Sequence, residues 1–244
     1  YVKADDHLDL PMKVINDLKF DLPTEVKKQY KSMENSLFSD IDSGKILASN
    51  AAVASQKCQQ IANGFLYPSL NETEQAKGIK KPTILLHQIK VELLKELVEE
   101  LNGSPILIGY WYEQDYLYLK KAFPKEVFFD KTLSFNESAK VEDKWNRGEI
   151  PILFGQTASI SHGLNLQEAG NHVCFYSMVW NFDVYDQFIR RVLRQGNENK
   201  RVFVHRLIAE KTIDEAMIRS VDRKGTESSN FLNSINEYRK SKEK

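Results

Sequence analysis

Five short apolar runs constrain the fold more than anything else in this chain: PILIGYW (105–111), VFFD (127–130), PILFG (151–155), HVCFYSM (172–178) and RVFVHRLI (201–208). Each is too short for an ordinary helix and rich in β-branched and aromatic residues, the pattern of a strand buried on both faces. Stretches of helical period separate them: VELLKELVEEL (91–101), QDYLYLKKAF (114–123), SAKVEDKWNRG (138–148) and the segment from Asp183 to Arg194. Alternating strands and helices with short links predict an α/β fold. Its mainly parallel sheet, of about five or six strands, is covered by helices on both faces, with ligands at the carboxyl ends of the strands.

The character changes near residue 80. Before it, LPTEVKKQYKSMENSLFSDI and SNAAVASQKCQQIANGFLY carry apolar residues at helical spacing, separated by Gly44. A helical segment, 1–80, is therefore expected ahead of the α/β body, 81–226, with a charged helical tail over 227–244 that frays at YRKSKEK. With 244 residues, 41% of them hydrophobic and 28% charged, the chain can bury one substantial core plus such an appendage. No run of 18 apolar residues occurs, and the opening YVKADDHLDLP lacks a signal peptide's basic head and apolar stretch, so no membrane partner is expected. Cys58 and Cys174 match no metal-ligand spacing and read as half-buried thiols. The five histidines show no paired spacing, so no metal site is assigned.

Thirty-four basic and thirty-four acidic residues cancel, so a polyanion must be held by a local patch. Between Gln187 and Arg206 there are six Lys or Arg against one Glu. At about 100° per residue, Asp183, Gln187, Arg190, Arg191 and Arg194 share one arc of a helix, with Val184, Tyr185, Phe188, Ile189, Val192 and Leu193 opposite. Gly196 is placed to end that helix. Asp183 and Asp186 are the only acids nearby, so the arginines are expected to face an external anion, which guanidinium grips bidentately.

About twenty residues upstream, PILFGQTASISHGLNLQEAGNHVCFY runs from strand to loop to strand through Gly155, Thr157, Ser159, Ser161, His162, Gly163 and Asn165. Short hydroxyls and glycines at a strand's carboxyl end offer donors to phosphate or sugar. Loop and arginines together form a candidate two-part phosphate site.

The succession GQTASISHGLNLQ, VWNFDVYDQFIRRVLRQGN and VFVHRLIAEKTIDEAM resembles motifs V and VI, with the trailing strand and helix, of the Swi/Snf-like branch of superfamily 2 helicases; PILIGYW stands where motif IV would. The HGLNLQ and RxxRQG forms are closest to phage and prophage members. The resemblance implies a RecA-like three-layer sandwich that is the C-terminal lobe of a two-lobed ATP-driven motor on double-stranded DNA, with 1–80 as linker and protrusion. It implies a cytoplasmic setting in a bacterial or phage-infected host cell. It also implies roles: Arg191 and Arg194 as arginine fingers on ATP held with Mg2+ by the first lobe, and Gln187, Gly163 and Asn165 at the nucleotide. Thr157, Ser159 and His162 would face the DNA strand. Ile160 and Ser161 stand where chromatin remodellers have glycines.

No G-x-x-x-x-G-K-[ST] occurs, so the γ-phosphate cradle is expected on the first lobe and this chain alone is expected to be inactive. Asp214 and Glu215 lack the preceding apolar strand of a Walker B box. Thr212 and Glu215 read instead as a capping box opening a helix. Two alternatives remain. A self-contained nucleotide-sugar transferase could hold a diphosphate with the same groups, but needs an acceptor-side base that the first eighty residues do not offer. A non-catalytic adaptor explains the basic patch but not why Gln187, Arg191 and Arg194 share a register with the loop.

Overall fold

The structure, a computed structural model, describes residues 10–42, 48–69, 72–79, 81–129, 132–160, 164–223 and 231–242. In chain order the elements are β1 (Met12–Phe20), α1 (Thr24–Asp42), α2 (Ala48–Asn63), β2 (Phe65–Leu66), α3 (Glu72–Ala76), β3 (Ile84–Leu85), α4 (Ile89–Glu100), β4 (Ile106–Tyr110) and α5 (Glu113–Ala122). They continue with β5 (Val127–Phe129), α6 (Phe135–Asn146), β6 (Ile152–Gln156), α7 (Thr157–Ile160), β7 (His172–Phe175), α8 (Phe182–Ile189), β8 (Arg201–Ala209), α9 (Ile213–Asp222) and α10 (Phe231–Lys242).

Six strands form one parallel sheet in the order β1-β8-β7-β4-β6-β5. All five apolar runs are strands within it, and the fold is the RecA-like α/β arrangement that the sequence implied. The strands alternate their faces with period two, as a pleated sheet requires. Ile106, Ile108, Tyr110, Phe154, Cys174 and Leu207 face one layer, where α4 supplies Val91, Leu94 and Leu97 and α5 supplies Tyr118 and Leu119. Leu107, Leu153, Val173, Phe175 and Val204 face the other, against Val26 and Leu37 of α1, Trp145 of α6, Phe188 of α8 and Met217 of α9.

Four expectations are corrected. Residues 1–80 are not all helical: Met12–Phe20 is the edge strand β1, paired in parallel with β8 from Met12↔Arg201 to Phe20↔Ala209. Its sequence, MKVINDLKF, hides the strand behind charges, which an edge strand tolerates because one side meets water. Arg206 of β8 fixes it: only 3% exposed, it reaches both Asp17 oxygens at 2.6 and 2.9 Å and Asp222 Oδ1 at 2.7 Å. Arg206 thus belongs to the interior and not to a phosphate patch. Nor is the end of the chain frayed over its described part. Tyr238 of α10 is fully buried, donating to Glu34 Oε1 at 2.6 Å and to the Lys211 carbonyl at 2.9 Å. Both cysteines are free and fully buried rather than half-buried. His205 is the strand residue it was expected to be.

A buried polar network joins the layers. Lys90, with no exposed surface, donates to Asp214 Oδ2 at 3.0 Å and Asn63 Oδ1 at 2.8 Å. Asn63 Nδ2 donates to Asp115 Oδ1 at 3.2 Å and Ser177 Oγ at 3.0 Å, and the Ser177 hydroxyl donates to Asp115 Oδ2 at 2.6 Å. Burial pushes the Asp115 carboxyl above the usual range, opposed by the Ser177 hydroxyl, the Tyr112 and Trp111 amides and Lys90. Asp214 also takes the Ala209 amide at 3.1 Å. Thr212 caps α9 as expected, but the Glu215 carboxylate takes the Lys211 amide, one residue earlier than a capping box requires.

Breaking this network has a defined expected effect. Lys90→Met leaves the Asp214 carboxylate buried without its counter-charge, a loss of about 3–5 kcal/mol. Thermal unfolding should show a large drop in midpoint, partly recovered by adding Asp214→Asn. A second expectation concerns pH. Asn16 Nδ2 donates to His205 Nδ1 at 3.0 Å, which puts the imidazole proton on Nε2, facing His172 Nδ1 at 3.0 Å. Burial, with a smaller contribution from His172, holds His205 down to about 4 from 6.5. The unfolded chain therefore takes up a proton that the folded chain refuses until about pH 4. Stability is full above pH 6.5 and declines as pH falls toward 4, by up to about 1.4 kcal/mol per pH unit for one proton. Urea midpoints across that range test this, and His172→Phe with His205→Leu should make the decline shallower without abolishing it, because burial holds His87 down to about 4 as well.

Candidate functional site

The site is built where the links that follow β6 and β7 meet. Asn181 caps α8, its side-chain oxygen accepting the Asp183 and Val184 amides at 2.8 and 3.2 Å. One face of α8 buries Tyr185, Phe188 and Ile189, and the opposite face exposes Gln187. The helix lies tight on the sheet. A Cβ on Gly109 of β4 would fall 2.8 Å from Phe188 Cζ, so only glycine fits beneath it.

The expected helix to Arg194 is shorter. α8 ends at Ile189, and Arg190 to Gly196 form a turn closed by Gly196 in the left-handed region at φ 96°. Tertiary bonds explain the stop: the Arg191 carbonyl accepts the Leu166 amide at 3.0 Å, and the Val192 carbonyl accepts Asn197 Nδ2 at 3.0 Å. Those donors replace the amides one turn ahead that would have continued the helix.

Nor do the arginines stand waiting for an outside anion. Arg190 pairs with Asp186 four residues back. Arg191, half-buried, donates from Nη1 to the Leu164 carbonyl at 2.9 Å and from Nε to the Gln187 carbonyl at 3.3 Å. Arg194, exposed, donates from Nη1 to Asn165 Oδ1. Burial, and then the charge of Arg194, lowers the Arg191 pKa, with Glu142 opposing. Of the residues singled out from sequence, the structure thus gathers Gln187, Arg191, Arg194 and Asn165 into one cluster.

The loop residues fare differently. Thr157 opens α7 and is fully buried, its hydroxyl donating to the Tyr110 carbonyl at 3.1 Å. It cannot offer that hydroxyl to DNA, because the carboxyl end of β4 has already claimed it. Ser159 is half-buried and donates to Gln156 Oε1 at 3.3 Å. His162 and Gly163 lie outside the described residues.

Two residues of α6 hold this loop: Trp145, which the sequence marks as a packing residue, and Asn146, which it does not single out. Trp145, fully buried, donates from Nε1 to the Leu166 carbonyl at 3.0 Å. Asn146 donates to the Asn165 carbonyl at 2.9 Å and accepts the Glu168 amide at 3.3 Å. The Trp-Asn pair ending an amphipathic helix was the visible signal, since a buried indole N–H needs an acceptor. Among the described residues no three His, Cys, Asp or Glu side chains lie together as a metal site, and no helix is long and apolar enough to cross a membrane.

Residues 89–196 match the family described as the helicase conserved C-terminal domain. The chain is 34% identical over 219 residues to protein p41 of Acyrthosiphon pisum secondary endosymbiont phage 1, covering 88% of this chain and 44% of that one. It is 28% identical over 239 residues to YwqA of Bacillus subtilis strain 168, provisionally named an ATP-dependent helicase/translocase, covering 94% of this chain and 25% of that one. The chain therefore spans less than half the length of these relatives. Among solved structures, the Sulfolobus solfataricus SWI2/SNF2 ATPase core in complex with double-stranded DNA superposes with a TM-score of 0.65 at 22% identity, over 96% of this chain and 49% of that one.

Since Asn146 holds the loop at two points, Asn146→Ala should speed amide hydrogen exchange at Glu168 and Leu166, each such bond contributing about 1 kcal/mol. Amides of Leu107 and Val173 at the sheet centre should be unaffected. Unchanged exchange at both loop amides would show that α6 does not set the loop.

Proposed function

The chain belongs to the C-terminal RecA-like lobes of the phage-associated, SWI2/SNF2-like superfamily 2 helicases and translocases, and from that membership we propose that it is the second motor lobe of an ATP-driven translocase on double-stranded DNA. The carrying observation is the juxtaposition of Arg191 and Arg194 with Leu164–Leu166, which sets two guanidiniums against the loop leaving α7. Those arginines act as fingers on ATP bound by a first lobe. Phosphoryl transfer needs positive charge around the departing γ-phosphate, and a finger contributes a factor of about 10³ or more.

Electrostatics supports the assignment. Arg191 carries its charge against partial burial and against Arg194. A polyphosphate between the two would relieve that repulsion, and no residue of this chain needs refolding to meet it. Arg194 is exposed and has only to exchange Asn165 Oδ1 for a phosphate oxygen. Asn165 becomes its resting partner. Gln187, one turn before Arg191 on the exposed face of α8, is placed to touch the nucleotide. Mg2+, when bound, neutralises charge on the phosphates, and its ligands and the γ-phosphate cradle are assigned to the first lobe.

The DNA strand is assigned to the loop after β6, through Ser159 and His162, with Gly163 permitting close approach at the nucleotide. Thr157 serves instead as a buttress under that loop. The likeness to a SWI2/SNF2 core complexed with double-stranded DNA supports the duplex as substrate.

In the parent enzyme, Arg194→Ala should lower ATP turnover by about 10³-fold while DNA and ATP binding fall only a few-fold. Arg194→Lys should not rescue it, because a point charge cannot reproduce the planar fork. His162→Ala and Ser159→Ala should instead raise the DNA concentration for half-maximal stimulation. Turnover by this lobe alone that disappears with Arg191→Ala would overturn the reading in favour of a self-contained enzyme.

A further inference from the structure

Beyond the carboxyl ends of β1 and β8, at the far end of the sheet from β6, lies a cleft of about 1070 Å³ between α1, the start of α9 and α10. None of the residues assigned to ATP or to the strand-contacting loop lines it. Six cations do: Lys27, Lys31, Lys211, Arg219, Arg239 and Lys242. Three carboxylates face them, Glu34, Glu210 and Glu215. In a chain whose charges sum to zero, that is a local concentration of positive charge.

The carboxylates are largely committed. Glu34, only 4% exposed, accepts from Tyr238 and from Lys242, whose Nζ is 2.6 Å from each of its oxygens. Glu215 accepts the Lys211 amide at 2.8 Å and lies 3.7 Å from Arg219. Lys27 pairs with Asp21 at 2.6 Å, and Lys211 adds a weaker attraction to that carboxylate. Lys31 and Lys211 are exposed, and among the described residues neither ammonium lies within 4 Å of a carboxylate. Lys211 is also held in the left-handed region, φ 58°, where lysine is seldom found, by the bonds of its amide to Glu215 and of its carbonyl to Tyr238. The backbone is thus constrained at the residue that brings an exposed ammonium to the cleft.

The aromatic walls argue against an apolar occupant. Arg239 lies 5.4 Å over the Phe38 ring, and Lys242 lies 5.7 and 4.7 Å over Tyr30 and Tyr238. A peptide anchor or a stacking base would find those rings covered. What remains on offer is the two exposed ammoniums of Lys31 and Lys211, point charges that suit phosphodiesters along a backbone and carry no sequence preference.

We propose that this cleft is a second DNA-backbone site, in which Lys31 and Lys211 neutralise phosphates of a duplex at a distance from the loop after β6. The inference rests on the proposed function only for the identity of the polymer. The test uses this lobe, a labelled duplex of about twenty base pairs and fluorescence anisotropy across a salt series. Each phosphate neutralised contributes about 0.9 to the slope of log affinity against log salt. Lys31→Gln with Lys211→Asn, which keeps a residue tolerant of the left-handed region, should reduce that slope by nearly two such contacts. At low salt, affinity should fall about tenfold or more. Lys31→Gln alone, on the solvent face of α1, should remove one contact, so the result does not depend on how well the double variant folds. An unchanged slope in both variants, with duplex binding retained, overturns the cleft and leaves the loop reading intact. No duplex binding by the unaltered lobe overturns both. Tight capture of a polyglutamate peptide in preference to duplex, lost in the same variants, overturns the cleft as a DNA site and makes it a protein-docking surface.

Discussion

An ammonium with no access to water, that of Lys90, sits where five segments of the chain converge, and its neutralisation is the condition on which their mutual arrangement rests. Hydrophobic contact holds helices to a sheet but lets them slide, because it is non-directional. The lysine is directional. It must find the Asp214 carboxylate at the start of α9 and the Asn63 amide at the end of α2, and Asn63 must in turn satisfy Asp115 of α5 and Ser177 beyond β7. A register in which any of these is displaced leaves a buried charge or donor without a partner. The network thereby selects one packing of the two helical layers around the sheet.

The arginine cluster follows a different physical logic. Its guanidiniums are satisfied at rest by weak, replaceable acceptors: a main-chain carbonyl for Arg191, a side-chain amide oxygen for Arg194. Neither acceptor carries a formal charge. In the proposed role a phosphate oxygen would outcompete both, since hydrogen bonds between ionised partners are roughly twice as strong as neutral ones. The resting contacts pre-orient the side chains, and the bonds that α6 makes to the loop keep those contacts in place.

Most of the sheet was legible because β4, β6, β7 and β8 are central and buried on both faces, so their sequences are almost continuously apolar. β1 was not, because an edge strand of Lys, Asn and Asp residues earns its place through a partner, Arg206, that is 189 residues away. The helical wheel grouped Gln187, Arg191 and Arg194 correctly but carried α8 too far, since its end is dictated by Leu166 and Asn197 and not by local propensity. Thr157 looked like a surface hydroxyl because composition cannot distinguish a threonine that caps a strand carbonyl from one that meets solvent. Lys90 was hidden for the opposite reason. Placed in HQIKVELL, it reads as the polar side of an amphipathic helix, and only the far-off Asp214 reveals that it points inward.

The two glycines at the sheet's centre bear on mechanics. A Cβ at Gly155 would lie 1.9 Å from Ile160, and one at Gly109 would lie 2.8 Å from both Phe188 and Thr157. α7 and α8 are therefore seated on the strands without the layer of side chains that ordinarily gives a helix room to shift. A side chain added at either glycine would lift α7 or α8 off the strands, so the seating of the loop and of the arginine turn on the sheet depends on two residues that carry no side chain at all.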